Sequence, residues 1–302
     1  MHVYSKIVWI INGNLFTLAL LLGWVQGFKL EVHGGPLAAA AATIAGGIAL
    51  ARYSRDRPEL ARIAVPFLCL AEFTACGTAA LFLQYPAASL RFPCVDGALA
   101  AGDRWIGLEW PTQFAWASAH PPALAAADFV YRLLLLQIPV ICIVVGYADP
   151  ERLRAFTLAN AIGVALTIAL SAMLPAASAY NRAGLAHLAD FALQFEAVRD
   201  GRLRALDPAA MAGLVSFPSF HTLLAVLVAC SCARLPRLFP FVVLLEAAIV
   251  ACTPLMGGHY IADVVAGGAI GIGVFCFAVR LGRRSGYRST RVGAGVSVLS
   301  MR

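Results

Sequence analysis

Two short stretches of the sequence place a histidine at the start of a long apolar run. Residues 216–221 read SFPSFH, and residues 257–267 read GGHYIADVVAG. Imidazole acts as a nucleophile, a general acid or a general base near neutral pH. The second stretch adds a carboxylate four residues after its histidine, so both stretches are candidates for a site of chemistry.

The histidine and the carboxylate of the second stretch have the spacing of a cooperating pair. On a helix, His259 and Asp263 share one face and lie about 6 Å apart along the axis. The carboxylate can then accept a hydrogen bond from one ring nitrogen and leave the other as a nucleophile, as in a catalytic triad. Gly257 and Gly258 allow a tight turn just before this helix.

The first stretch has the features of a helix start. Ser216 suits the N-cap and Pro218 the first turn. Ser219 and His221 then follow in a helix whose free N–H groups and dipole favour an anion. A lone histidine at such a place is often an interfacial or capping residue, but two histidines together with Asp263 favour a functional site.

The composition indicates a polytopic membrane protein. Of 302 residues, 61% are hydrophobic and 13% are charged, whereas soluble domains are about a quarter charged. The net charge of +7 does not indicate nucleic-acid binding, because the basic residues lie in short loops and in the tail. The eight cysteines include no CxxC pair, so neither a zinc site nor a disulfide framework is expected.

Eight apolar runs predict an all-α bundle of about eight transmembrane helices, since a span takes about 20 residues. Gly267 and Gly271, in the last run, form a small-xxx-small pair that predicts close packing against another helix. The predicted spans are 7–28, 36–52, 64–85, 126–147, 155–175, 217–234, 238–256 and 259–280.

The arginines and lysines orient these spans. With both chain ends in the cytoplasm, most of the 23 basic residues lie on the cytoplasmic side. The long loops 86–125 and 176–216 then lie outside, and the tryptophans of the first loop predict an interfacial or re-entrant helix. The sixth and eighth helices both start at the outer face, so His221 and His259 are expected on the same side of the membrane.

The sequence resembles a known family at these two stretches. PSFH, followed by HYIADVVAG, resembles the second and third signature motifs of the type 2 phosphatidic acid phosphatase superfamily. The tyrosine in HYIADVVAG makes this motif more similar to the lipid phosphotransferase branch, which includes inositol phosphorylceramide and sphingomyelin synthases. The resemblance covers about residues 150–282 and implies a six-helix catalytic core at 61–282. Residues 1–60 would add two helices, and 283–302 would form a basic cytoplasmic tail.

The resemblance also implies a role for each residue of the site. His259 would attack phosphorus and form a phosphohistidine, while Asp263 holds its ring. His221 would protonate the leaving oxygen and later activate the acceptor. Ser219 would hydrogen-bond the phosphate, and Tyr260 would contact the substrate. The resemblance implies neither a metal nor a cofactor.

The sequence departs from the phosphatase branch where that branch carries its phosphate-binding cations. The first motif is missing, and Cys252 and Thr253 stand where the third motif begins with serine and arginine. The charge that develops on a phosphoryl group needs fixed donors. Arg182, in LPAASAYNRAG, is the first candidate and Arg132, in ADFVYRLL, the second; the alternative is that each is an interfacial arginine.

Two carboxylates lie deep within predicted spans. Glu72 and Glu246 are each about 12 Å from the cytoplasmic start of their helix. A carboxylate at that depth is costly unless it is paired or protonated. We expect a structural hydrogen-bonding role, with Asn160 as a candidate partner, in preference to a proton or ion path.

The sequence favours an enzyme that cleaves or transfers a phosphate or phospho-head group of a membrane lipid at the extracytoplasmic face. We expect it in a bacterial plasma membrane, acting with an alcohol or sugar acceptor and without nucleic acid. The first alternative is a phosphatase that uses water and acts on a prenyl pyrophosphate or phosphatidic acid. The others are a transporter, a haem carrier and an intramembrane protease.

Overall fold

The computed structural model describes residues 3–31 and 34–284, which form an all-α bundle. Within them, two short strands pair in parallel, β1 (Lys29–Leu30) and β2 (Ala205–Leu206), and a 3₁₀ turn spans Ala186–Leu188. The helices are α1 (Val3–Val25), α2 (Gly34–Tyr53), α3 (Pro58–Ala88), α4 (Asp96–Trp105), α5 (Trp110–Ser118), α6 (Pro121–Leu136), α7 (Ile138–Ala148), α8 (Pro150–Met173), α9 (Ala179–Arg182), α10 (Asp190–Arg199), α11 (Phe220–Cys232), α12 (Phe239–Met256) and α13 (Ile261–Arg284).

The long apolar runs form the spanning helices that their composition predicts. Among the described residues, six helices are long and apolar enough to cross a membrane: α1, α2, α3, α8, α12 and α13. Helices α6 and α7 make up a seventh span if they are counted together, with a bend of 47° between them. Pro139 explains the bend, because it lacks the N–H that would bond to the Leu135 carbonyl. The chain is therefore an integral membrane protein.

The sixth predicted span, 217–234, is shorter than expected. Helix α11 has 13 residues, about 20 Å of helix, whereas the hydrocarbon core is about 30 Å thick. The chain before α11 lies inside the bundle and is held there by Gln84. Its Oε1 accepts from the Leu214 N–H at 2.7 Å, and its Nε2 donates to the Ala212 carbonyl at 3.1 Å.

The predicted start of this helix is wrong by three residues. Ser219 is the N-cap, accepting from the Thr222 N–H, and helix α11 begins at Phe220. Ser216 does not cap the helix, because its hydroxyl is directed at the Asp263 carboxylate, 3.4 Å away. Pro218 consequently lies before the helix and not in its first turn.

Helix α8 is the centre of the bundle and packs against α1, α3, α11 and α13. Helix α1 packs against α3 and α8, and α2 packs against α3. Near the start of α1, the Tyr4 hydroxyl donates to the Ala278 carbonyl in α13 at 2.8 Å. The start of α1 and the last turns of α13 thus lie at the same end of the bundle, as expected. The predicted tail lies outside the described residues from position 285, and the domain division remains a prediction.

The buried carboxylate of Glu72 has a structural partner. Its Oε1 accepts from the Ser5 hydroxyl of α1, and its backbone carbonyl accepts from Asn12 Nδ2 at 3.0 Å. These contacts attach α1 to α3, in agreement with the expected structural role. Asn160 is not the partner, since its side chain borders a cavity described below.

The two long loops cover the end of the bundle where α11 and α13 begin, which we call the site end. Loop 86–125 contains α4 and α5, and loop 176–216 contains α9, the 3₁₀ turn and α10. Strand β1 joins the connection after α1 to the second loop, with the Lys29 N–H donating to the Arg204 carbonyl at 2.8 Å. The second loop is thereby fixed by backbone hydrogen bonds to the segment that follows α1.

Candidate active site

His259 and Asp263 form the buried pair that their spacing predicts. His259 lies two residues before the start of α13, and its Nδ1 lies 3.3 Å from Asp263 Oδ2. The same oxygen accepts from the Tyr260 N–H at 2.9 Å and from the Ser216 hydroxyl. With Nδ1 occupied by the carboxylate, Nε2 of His259 is the ring nitrogen that remains for a substrate.

The turn before His259 requires glycine at one position. Gly258 has φ +61, and a Cβ there would lie 2.6 Å from the ring of Tyr180. L side chains rarely adopt this conformation, and no side chain fits the space. Its carbonyl accepts from the Ala179 N–H at 2.8 Å, which joins this turn to the start of α9.

Ser219 joins the two stretches that carry the histidines. Its hydroxyl lies 3.4 Å from His259 Nε2, and its N–H donates to the Asp263 carbonyl at 3.0 Å. A Cβ on Gly267 would overlap the carbonyl oxygen of Ser219, and one on Gly271 would lie 3.0 Å from the Leu223 carbonyl oxygen. The predicted close packing at the two glycines is confirmed, and α11 is the partner helix.

Replacing Gly267 with alanine should separate α11 from α13 and so disturb the site. We expect a lower unfolding temperature, corresponding to about 1–3 kcal/mol of overpacking strain, and a fall in turnover of at least tenfold. Gly273→Ala, on the same helix, is the matched control, because a Cβ at Gly273 would have no atom within 4 Å. Equal unfolding temperatures and rates for the two variants would contradict the role of Gly267.

His221 is positioned by a tyrosine that the sequence did not single out. The Tyr131 hydroxyl lies 3.1 Å from His221 Nδ1, and the two rings stack with centroids 4.1 Å apart and planes 12° apart. The hydrogen bond leaves His221 Nε2 for proton transfer. In the sequence Tyr131 is only the residue before Arg132, and no spacing rule joins it to a histidine 90 residues away.

Removing the Tyr131 hydroxyl should slow the reaction without disturbing the fold. Phenylalanine keeps the stacked ring but loses the hydrogen bond that orients His221. We expect kcat/KM to fall about tenfold, the size of one hydrogen bond, and unfolding to change little. Tyr147→Phe, at an exposed tyrosine, is the control. Wild-type kinetics for Tyr131→Phe would show that the stacking alone positions His221.

Both histidines border one cavity of about 410 Å³. Its walls come mainly from α3, α6 and α8 and are mostly apolar, with Phe73, Leu134 and Val164 among them. Ser216 and Tyr131 provide polar groups near the histidines. Among the described residues, none that borders this cavity is lysine or arginine. The cavity therefore suits an apolar chain that leads to the two imidazoles.

The two predicted arginines lie outside the histidine cavity. Arg182, at the end of α9, borders a second cavity of about 210 Å³ together with Tyr260, Asp103 and Arg104. Arg132 is exposed, and its Nε donates to Asp128 at 2.7 Å. The structure thus brings together His221, His259, Asp263 and Ser219, but it does not bring either arginine into their cavity.

Two aspartates of the first loop accept hydrogen bonds from residues next to His259 and from the chain before α9. Asp96 accepts from the Tyr260 hydroxyl at 3.1 Å and from the backbone N–H groups of Ala177 and Ser178. Asp103 accepts from the Ile261 N–H at 3.1 Å, at the start of α13. Burial is the main cause that raises the pKa of Asp103. These aspartates were not predicted, because residues far apart in the chain provide their partners.

Tyr260 is fixed by the same loop. Burial, followed by the nearby Asp96 carboxylate, raises the pKa of its phenol. The hydroxyl therefore remains protonated and donates to Asp96. In this position Tyr260 borders the second cavity, next to Arg182. Its contact with a substrate remains a prediction.

The fold and the site define a helical membrane protein in which a histidine–aspartate pair and a second histidine border an apolar cavity. A comparison with protein-family models identifies this class: the PAP2 superfamily model matches residues 97–277. The match covers more than half of the chain, which therefore belongs to the PAP2 superfamily. Comparisons with curated proteins and with solved structures gave no match. Members of this superfamily are generally phosphatases.

Proposed function

We propose that this protein is a membrane enzyme that moves a phosphate or phospho-head group from a lipid, through a phosphohistidine formed on His259. The observation that carries the proposal is the position of the His259 ring, with Nδ1 beside the buried Asp263 carboxylate and the ring bordering the cavity that His221 shares. Such an arrangement combines an oriented nucleophile with a second group for proton transfer.

In the first step, Nε2 of His259 attacks phosphorus as the bond from phosphorus to the lipid oxygen breaks. The electron pair of that bond goes to the oxygen, which takes a proton from His221. In the second step, the hydroxyl of an acceptor loses its proton to His221 and attacks phosphorus. The bond from phosphorus to Nε2 breaks and His259 returns to its starting form. Asp263 stabilises the positive charge that the ring carries between the steps.

The negative charge of the phosphoryl group needs donors close to His259. The Ser219 hydroxyl lies 3.4 Å from His259 Nε2 and caps the start of α11, where the helix dipole favours an anion. Arg182 is the candidate for a cation, because it lies beside Tyr260 in the neighbouring cavity. Arg132 is the weaker candidate, since Asp128 occupies its guanidinium.

The acceptor decides between a transferase and a phosphatase. We favour an alcohol or sugar acceptor, as in the phosphotransferase branch that the tyrosine of HYIADV resembles. The second cavity supports this, because Asp103, Arg104 and Glu109 border it together with Tyr260 and make it polar. The alternative is water, which would make the protein a lipid or prenyl-pyrophosphate phosphatase. A non-enzymatic transporter is the second alternative.

We place the site at the extracytoplasmic face of a bacterial plasma membrane. Arginines cluster around a cavity at the end of the bundle opposite the site end, and cytoplasmic loops carry an excess of basic residues. The cavity is bordered by Arg62, Arg152, Arg154, Arg234 and Arg283.

The test uses purified protein in detergent with phosphatidic acid, prenyl phosphates and phosphorylated ceramide, each labelled at phosphorus. A chelator is present throughout, since no metal is implied. We expect turnover, together with a labelled protein whose phosphate is labile in acid and stable in alkali, as phosphohistidine is. Release of inorganic phosphate identifies a phosphatase, and transfer to an added alcohol identifies a transferase. Absence of turnover and of label with every lipid would overturn the proposal and favour transport.

A further inference from the structure

Two buried polar atoms in the histidine cavity have no hydrogen-bond partner. They are Oδ1 of Asn160 and Oγ1 of Thr167, both in α8, and these residues are only 1% and 2% exposed. Both residues border the cavity. Seven residues separate them, so they lie on one face of the helix about 10 Å apart. Buried polar atoms are nearly always hydrogen-bonded. We therefore expect a molecule that binds in this cavity to carry a polar group near each of the two atoms.

The two side chains lie close to the level of the catalytic histidines. Gly163, between them in α8, packs against Leu223, where a Cβ would lie 3.0 Å from Cδ2. Leu223 is two residues after His221. Along α8, Thr167 therefore lies about 6 Å closer to the site end than the Gly163 contact does. Asn160 lies about 4.5 Å from that contact in the other direction, away from the site end. A group that meets them lies near the phosphate and not at the end of a long chain.

We infer that Asn160 and Thr167 each bind a different polar group of the lipid linkage region, so that the substrate is a phosphorylated glycerolipid or sphingoid lipid and not a polyprenyl phosphate. The inference rests on the proposed function. The Asn160 Oδ1 atom accepts and can bind an amide N–H or a hydroxyl, while the Thr167 hydroxyl can also donate to an ester or amide carbonyl. A polyprenyl chain offers none of these groups and would leave both atoms without a partner.

The experiment compares three phosphate monoesters of similar chain length in the same detergent: phosphatidic acid, ceramide phosphate and a polyprenyl phosphate. In the wild type, we expect kcat/KM to be at least tenfold higher for one or both of the first two, which tells ester from amide. Asn160→Leu and Thr167→Val should each lower that value about tenfold. Neither variant should change the value for polyprenyl phosphate.

A merely structural role for the two residues gives a different result. Because the two atoms have no partner in the protein, removing them should not lower the unfolding temperature. Thr157→Val is the matched control on α8, since Thr157 is buried and bonded to the Arg154 carbonyl at 3.0 Å; it should keep the wild-type preference. Equal losses on all three lipids, or a wild type without preference, would overturn the inference.

A binding measurement separates this inference from the proposed function. The same three phosphates are added to His259→Ala protein, with and without Asn160→Leu, and the rise in unfolding temperature is recorded. We expect a larger rise with the linkage-bearing lipids, and loss of the difference when Asn160 is replaced. If no lipid is turned over by the wild type, the proposed function fails while this result still decides the inference. Equal stabilisation by all three lipids would refute it.

Discussion

Replacing His259 with alanine should abolish turnover of every lipid substrate and all phosphohistidine labelling. Loss of a nucleophile that works with a partner lowers kcat by about 10⁴-fold or more. The Ser219 hydroxyl lies 3.4 Å from Nε2. The backbone of Ser219 bonds to the Asp263 carbonyl through its N–H and to the Leu223 N–H of α11 through its carbonyl. The hydroxyl has no adjacent base once the imidazole is removed, so it cannot replace His259 as the nucleophile.

The control for this variant is His187→Ala, at an exposed histidine in the second loop. It should keep wild-type kinetics and labelling. Unfolding temperatures of both variants show whether the fold is intact. Turnover in His259→Ala within tenfold of the wild type would eliminate the phosphohistidine mechanism, whatever lipid is used.

Replacing Asp263 should have the second largest effect, and two variants separate orientation from charge. Three donors converge on Oδ2, namely His259 Nδ1, the Tyr260 N–H and the Ser216 hydroxyl. The amide oxygen of Asp263→Asn should take the same position, so the ring stays oriented but loses its negative partner. We expect kcat to fall about 10²- to 10³-fold. Asp263→Ala loses orientation as well and should fall about 10⁴-fold.

The measurement is kcat on the best lipid substrate, with the rate of phosphohistidine formation in a single turnover. Formation should slow as much as turnover does, because Asp263 acts on the attacking ring. Asp128→Asn, which removes an exposed ion pair with Arg132, should leave both rates unchanged. Equal rates for Asp263→Asn and Asp263→Ala would mean that charge, and not orientation, is the contribution of Asp263.

The sequence was sufficient where the structure depends on neighbours along the chain. Apolar runs predicted the spanning helices, because each run satisfies its backbone hydrogen bonds internally in lipid. The four-residue spacing predicted that His259 and Asp263 meet, since residues one turn apart share a helix face. Gly267 and Gly271 predicted a close helix contact for the same reason, although they did not identify α11 as the partner.

Only the tertiary structure decided the contacts between distant segments. Helix α11 starts at Phe220 because Ser216 is bonded to Asp263, 47 residues away. Asp96 meets Tyr260 across 164 residues. The loop between α8 and α10 turns Arg182 towards a cavity that the histidines do not border. Local propensity carries no information about such pairs, which form when helices pack and buried polar groups must find partners. The sequence therefore determined the pairing of His259 with Asp263, and the packing determined what surrounds the pair.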